Sequence, residues 1–182
     1  MQTRLKYVFL LAAVTLLGGC SLFNRWEAKP SPLPPRPVEA DYDRVAAIRA
    51  AGDREAALTD SAIDVAPLRD PGVAILEDQA QQNLQTRHYA LAAGELDQAL
   101  QRNPDSPDLL QDRAEAAVGL KDYARAETLA QRSWSLGPKL GPLCARNWQT
   151  VVEMRLLAHD AAGVAQARSQ VLACHKASVP RY

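Results

Sequence analysis

Five residues recur at one fixed offset, and that recurrence limits the chain to a small set of folds. Leu76, Ala80, Tyr89, Ala92 and Pro104 have counterparts in Leu110, Ala114, Tyr123, Ala126 and Pro138, each displaced along the chain by the same interval. A period of this size implies supersecondary units that stack, because one unit cannot bury its apolar face alone. Ala80, Ala92 and Ala99, then Ala114, Ala126 and Ala130, are small enough to let paired helices approach closely, and alanine has the best helix propensity. Tyr89 and Tyr123 open second helices and wedge against the next unit. Pro104 and Pro138 end helices because proline cannot continue one. Pro107-Asp108 then suits the first turn of a new helix.

The shared offset matches the period of about 34 residues that marks the tetratricopeptide repeat, a helix-turn-helix unit. His88-Tyr89-x-x-Ala92, Asp122-Tyr123-x-x-Ala126 and the closing prolines after Asn103 and Gly137 resemble that family. Several positions depart from the family's pattern. Leu stands for its large residue at the start of the first helix, Ala for its first-helix Gly, and Asn83 and Ala117 for its mid-helix aromatic. The resemblance implies an all-α superhelix of antiparallel helix pairs over residues 72–178, in about three units. The third unit is altered: residues 146–158 are helical in pattern, with Trp148, Val151, Val152 and Leu156 spaced for one apolar face. After a break at 160–163, Val164-x-x-Ala167 echoes Tyr-x-x-Ala. The interval from Ala126 to Ala167 exceeds the period, which predicts two extra helical turns or a longer loop. Upstream, residues 42–50 and 54–65 read as one degenerate helical pair within 41–71, turned at Gly52-Asp53. Atypical end units of this kind cap a repeat array.

The amino terminus reads as an address. Arg4 and Lys6 precede an apolar run at 7–17, whose helical length of roughly 16 Å is about half of the roughly 30 Å hydrocarbon core of a bilayer. That suits the core of a signal peptide at 1–19, removed on export. Leu17-Gly18-Gly19-Cys20 resembles the lipobox of bacterial lipoproteins, which implies a covalent lipid on Cys20. Two or more acyl chains, palmitate among them, give stable anchoring where one binds marginally. Ser21 follows where an Asp retains enterobacterial lipoproteins in the inner membrane, so the resemblance implies the periplasmic face of the outer membrane. Residues 20–40 then form a tether with five prolines, Pro30, Pro32, Pro34, Pro35 and Pro37, which favours polyproline II and a reach of roughly 60 Å. Phe23 and Trp26 suit the headgroup level. A proline-rich ligand for an SH3-type domain is the alternative reading of this stretch.

Charge argues against nucleic acid. Lys+Arg and Asp+Glu are both 21, and without the first nineteen residues the balance is 19 to 21, with no basic stripe. Cys144 begins the first helix of the last unit and Cys174 ends its second. Antiparallel helices place those ends together, and an oxidising compartment would join them as a disulfide; two buried free thiols are the alternative. A zinc site would need His159 or His175, but His159 lies roughly 22 Å from Cys144 along one helix, and the spacing fits no zinc pattern. There is no GxSxG elbow and no glycine-rich phosphate loop. Glu77, Asp78, Asp112 and Glu115 would serve acid–base chemistry only if paired, and charged faces of repeat helices are usually solvated. The chain reads as a non-enzyme with no metal and no cofactor beyond the lipid.

In the resembled family, first helices line a groove. Here they present Glu77, Asp78, Gln81 and Gln85, then Asp108, Gln111, Asp112 and Glu115, then Arg146, Gln149 and Glu153. Such a groove, polar and acidic with one positive end, suits a basic or polar segment of an envelope protein; a solvated groove with binding on the convex side is the alternative. Two functions follow: a protein-binding scaffold in assembly of a pilus, secretion channel or cell-wall machine, or a non-catalytic regulator or accessory subunit of a peptidoglycan enzyme; a hydrolase whose site the sequence hides ranks third.

Overall fold

The computed structural model describes residues 42–58 and 70–175. The signal peptide, Cys20, the tether and the upstream segment beyond Leu58 lie outside the described residues. Those described form seven helices and no strand: α1 (Arg44–Leu58), α2 (Pro71–Gln85), α3 (Tyr89–Arg102), α4 (Pro107–Gly119), α5 (Tyr123–Leu136), α6 (Pro142–Leu157) and α7 (Ala161–Ala173). Helices α2/α3, α4/α5 and α6/α7 are the three repeated hairpins, and each packs on the next.

Local sequence explains the punctuation. Pro71, Pro107 and Pro142 occupy the first turns of α2, α4 and α6, where a missing N–H costs nothing and φ is already helical. Asp122 and Asp160 cap α5 and α7 by accepting from the backbone N–H of Arg125 and Gly163, supplying partners for otherwise orphaned donors. All three hairpin turns are built alike. Arg87, Lys121 and His159 adopt positive φ of 62°, 64° and 54°. The next N–H then donates back into the preceding helix, from His88 to Asn83 (2.7 Å), Asp122 to Ala117 (2.9 Å) and Asp160 to Arg155 (3.0 Å). This is the Schellman closure, which glycine usually provides. Here each left-handed residue is instead cationic, or becomes so on protonation, and stands at a helix C-terminus where positive charge is favourable.

Packing follows the alanines. Ala80, Ala92, Ala99, Ala114, Ala126 and Ala130 are all fully buried. Tyr89 wedges against the following unit at Gly119, where an added Cβ would stand 2.2 Å from the ring's Cγ. A Gly119→Ala variant therefore unfolds in urea with a stability lower by about 1–3 kcal/mol, the usual cost of overpacking. Wild-type stability in that variant would mean the ring does not sit there.

Two features differ from the sequence expectation. The interval from Asp122, which caps α5, to Asp160, which caps α7, exceeds that from His88 to Asp122 by a single helical turn. The third unit is thus longer by one turn, not two. It gains this by a 16-residue α6 against a 13-residue α4, and by a slightly longer preceding linker. Val164, rather than Ala167, takes the place of Ala126 near the start of its helix. The upstream helical pair is also corrected. Gly52 and Asp53 form no turn; α1 runs straight through them. Gly52 is there for contact: a Cβ on it would lie 2.8 Å from the Arg146 Cγ.

Candidate functional site

The first helices α2, α4 and α6 do converge their polar residues on one face, but that face is not open. Helix α1 lies on it. Val45 and Ile48 enter an apolar cluster with Ala117, Val118, Ala126 and Met154, and the charged residues of α1 complete a network below.

Glu115, fully buried in mid-α4, is the hub. Its Oε2 accepts from Arg49 Nε of α1 at 2.8 Å. Its Oε1 accepts from Arg146 Nη2 at 2.6 Å and Nε at 2.9 Å, and from Gln111 Nε2 at 3.1 Å. Gln111 also donates to Thr150 Oγ1 at 3.0 Å. One turn before Glu115, Asp112 accepts from Arg146 Nη2 at 2.6 Å and from Gln81 Nε2 at 2.5 Å. Gln81 in turn accepts from Arg49 Nη2 at 3.1 Å. A second anchor forms at Glu153, whose Oε1 accepts from the Tyr42 hydroxyl and from Gln149 Nε2, each at 2.9 Å. Arg44 Nε lies 3.9 Å from its other oxygen. At the far end of α1, Glu55 faces His175 Nδ1 at 3.0 Å.

The electrostatics follow from burial. Desolvation pushes the Asp112 carboxyl above its usual range; Arg146 opposes this, and the neighbouring Glu115 charge adds to it. For Arg146, burial works against the charged form, but Glu115 and Asp112 outweigh it and hold the guanidinium proton more tightly than usual. Burial, then the hydrogen bond and charge of Glu153, raise the Tyr42 phenol; burial and then the Asp43 charge raise Tyr89. A raised phenol contributes stability that is whole below the unfolded pKa of about 10 and is lost as pH climbs toward the folded value. The alkaline limb of a stability–pH profile therefore becomes shallower in Tyr42→Phe. An unchanged limb would show that Glu153 does not hold this phenol.

The expected groove residues thus divide. Gln81, Gln111, Asp112, Glu115, Arg146, Gln149 and Glu153 come together, beneath or beside α1. Asp78 and Gln85 remain exposed and apart from this network, Glu77 is half-buried, and Asp108 turns to Ser106 Oγ at the start of α4. The solvent-open groove is corrected by its occupant: Arg146 pairs with Asp112 and Glu115 from within the repeats, and α1 adds Arg49 at Glu115 and Arg44 at Glu153. Sequence reasoning missed Tyr42, Arg44 and Arg49. Their spacing would have served as a signal, since 44, 45, 48, 49 and 52 share one helical face.

Cys144 and Cys174 are joined, with Cα atoms 5.6 Å apart, so neither sulfur is a thiolate ligand. Trp134 and Trp148 cover the bridge edge-to-face, their ring centroids 5.2 Å apart. Among the described residues no group of three or more His, Cys, Asp or Glu is placed to hold a metal ion.

No family model and no curated protein matches the chain. Among solved structures it is similar to the globular C-terminal domain of P. aeruginosa LpoP, at 28% sequence identity and a TM-score of 0.53. The likeness covers 58% of this chain and 99% of that domain. The chain therefore carries an all-helical, tetratricopeptide-like domain of the kind found at the C-terminus of LpoP.

Proposed function

We propose that the chain is a non-catalytic, lipid-anchored protein-binding subunit at the periplasmic face of the outer membrane, acting as an accessory regulator of a peptidoglycan enzyme. The likeness to LpoP across nearly the whole of that domain is the observation that carries this reading. Three features support it further. The lipobox-like Leu17-Gly18-Gly19-Cys20 supplies an anchor, and the proline-rich stretch after it supplies reach. The matched LpoP domain is C-terminal in its own protein, and the described helices here follow the lipobox-like motif and the proline-rich stretch in sequence. The reacting-group patterns that hydrolases need are missing from the sequence, and the paired carboxylates Asp112 and Glu115 are engaged with guanidinium groups.

The wider reading, a scaffold for a pilus, secretion channel or cell-wall machine, uses the same anchor and the same repeats. Crosslinking in intact cells separates the two. The tagged full chain is compared with a version that keeps residues 1–71 and lacks 72–178. Recovery of a peptidoglycan synthase or hydrolase only with the repeats, and a change in its turnover when the purified chain is added, is the expected result. Recovery of a pilus or secretion component instead would replace the regulator with the scaffold. Identical background from both versions would overturn protein binding by the repeats.

A further inference from the structure

We propose that the face built by α2, α4 and α6 is a receptor site for an arginine-bearing helix, that α1 is its resident occupant, and that a partner presents a helix of the same chemistry to exchange with α1. The inference deepens the protein-binding reading above and rests on it.

The first argument is charge. The repeats place Asp112, Glu115 and Glu153 on this face, each almost fully buried in the presence of α1, and Arg146 pairs with the first two. Uncompensated buried carboxylates are costly, so whatever sits here must bring cations. Helix α1 does so through Arg49 to Glu115 and Arg44 to Glu153. The face is therefore selective for its occupant by the penalty it places on any helix lacking those charges.

The second argument is shape. Gly52 lies over the Arg146 side chain, where a Cβ would approach Cγ at 2.8 Å and Cδ at 2.9 Å. An occupant with a large residue at this position would push Arg146 away from Asp112 and Glu115. Val45 and Ile48 pack among Ala117, Val118, Ala126 and Met154. The recognition pattern is Arg-Val-x-x-Ile-Arg-x-x-Gly, read off residues 44–52, with all its contacts on one helical face.

The third argument is the ionic share of what holds α1. Its buried residues are Val45, Ile48, Ala51, Gly52 and Glu55, of which only two carry apolar side chains larger than a methyl. The other apolar clusters, around Leu96, around the disulfide, and around Val151 and Ala167, contain no α1 residue. Those three clusters form without it, and α1 adds Val45 and Ile48 to the fourth, against Ala117, Val118, Ala126 and Met154. Much of its attachment is ionic, and ionic attachment can be exchanged for an equivalent ion pattern from another chain.

The test uses a fluorescein-labelled peptide of residues 42–58 and the full-length chain, read by fluorescence anisotropy. Wild type is expected to bind the peptide weakly, because α1 competes from within the same molecule. A chain carrying Arg49→Ala, whose own α1 is weakened, should bind it at least on the order of tenfold more tightly, since the apparent affinity scales with the open fraction. Peptides carrying Arg44→Glu with Arg49→Glu, or Gly52→Leu, should lose that binding at least tenfold on the same relation. Should Arg49→Ala fail to fold by circular dichroism, Arg44→Gln serves as the weakened chain. No saturable binding to a folded, weakened chain would overturn the proposal. So would equal binding of the charge-reversed peptide. A dimer of the wild-type chain that dissociates on adding the peptide would replace the foreign partner with a second copy exchanging α1. If crosslinking in cells still recovers an enzyme while the peptide fails to bind, the partner uses another face, and the regulatory reading survives without this site.

Discussion

Replacing Glu115 with alanine lowers the folding stability by about 3–5 kcal/mol, the range for removing one partner of a buried ion pair. The size follows from its neighbours. Its two oxygens receive Arg49 from α1 and Arg146 from α6, so its loss leaves two guanidinium groups facing a deficit of charge. Gln111 loses an acceptor at the same time. Asp112 remains, but it is already committed to Arg146 and Gln81. Urea unfolding of the variant gives the value, and Glu115→Gln should recover part of the loss by keeping an acceptor for one guanidinium. A loss below about 1 kcal/mol, the level of an exposed ion pair, would mean that solvent reaches the site and that α1 does not cover it.

Opening the Cys144–Cys174 bridge has the next largest effect. The bridge closes a separation of 30 residues, and on the chain-entropy model such a loop contributes roughly 3–4 kcal/mol. Cys144→Ala with Cys174→Ala, or reduction of the native chain, should lower the urea midpoint accordingly. The change is local in origin. The bridge ties the start of α6 to the end of α7, and the Gly141 N–H donates to the Cys174 carbonyl beside it at 2.9 Å. Trp134 and Trp148 pack on this joint, so the tryptophan emission should shift with the same midpoint. Equal stability with and without the bridge would place the strength of the third hairpin elsewhere, in Val151, Val152 and Ala167.

Much of the helical framework is legible in the sequence because its determinants are local. Proline at a first helical turn, aspartate at a cap and alanine at a close helix crossing each act within one hairpin or between adjacent ones. The disulfide is legible in outline for the same reason, since antiparallel mates bring the start of one helix to the end of the other. The hairpin turns are less so: a Schellman closure is usually announced by glycine, and here Arg87, Lys121 and His159 fill the left-handed position.

The place of α1 is not legible. Gly52-Asp53 has the local composition of a turn, and only Arg146, three helix pairs further along the chain, explains a glycine inside that helix. Arg49 and Glu115 likewise meet from distant parts of the sequence. A row of carboxylates on repeat helices looks the same in sequence whether water or another helix covers it. The charge pattern asks for cations on whatever covers it. It does not say that the occupant belongs to the same chain.

A double-mutant cycle on Arg49→Ala and Glu115→Ala, read by urea unfolding, tests most directly whether α1 is latched on the repeat face. Hydrogen bonds to charged groups contribute roughly 1.5–3 kcal/mol, and residues in contact show coupling of this order. The account predicts a coupling energy of about 1.5–3 kcal/mol, with the double variant less destabilised than the sum of the single ones. Strict additivity would contradict it, because two groups that do not meet have nothing to couple.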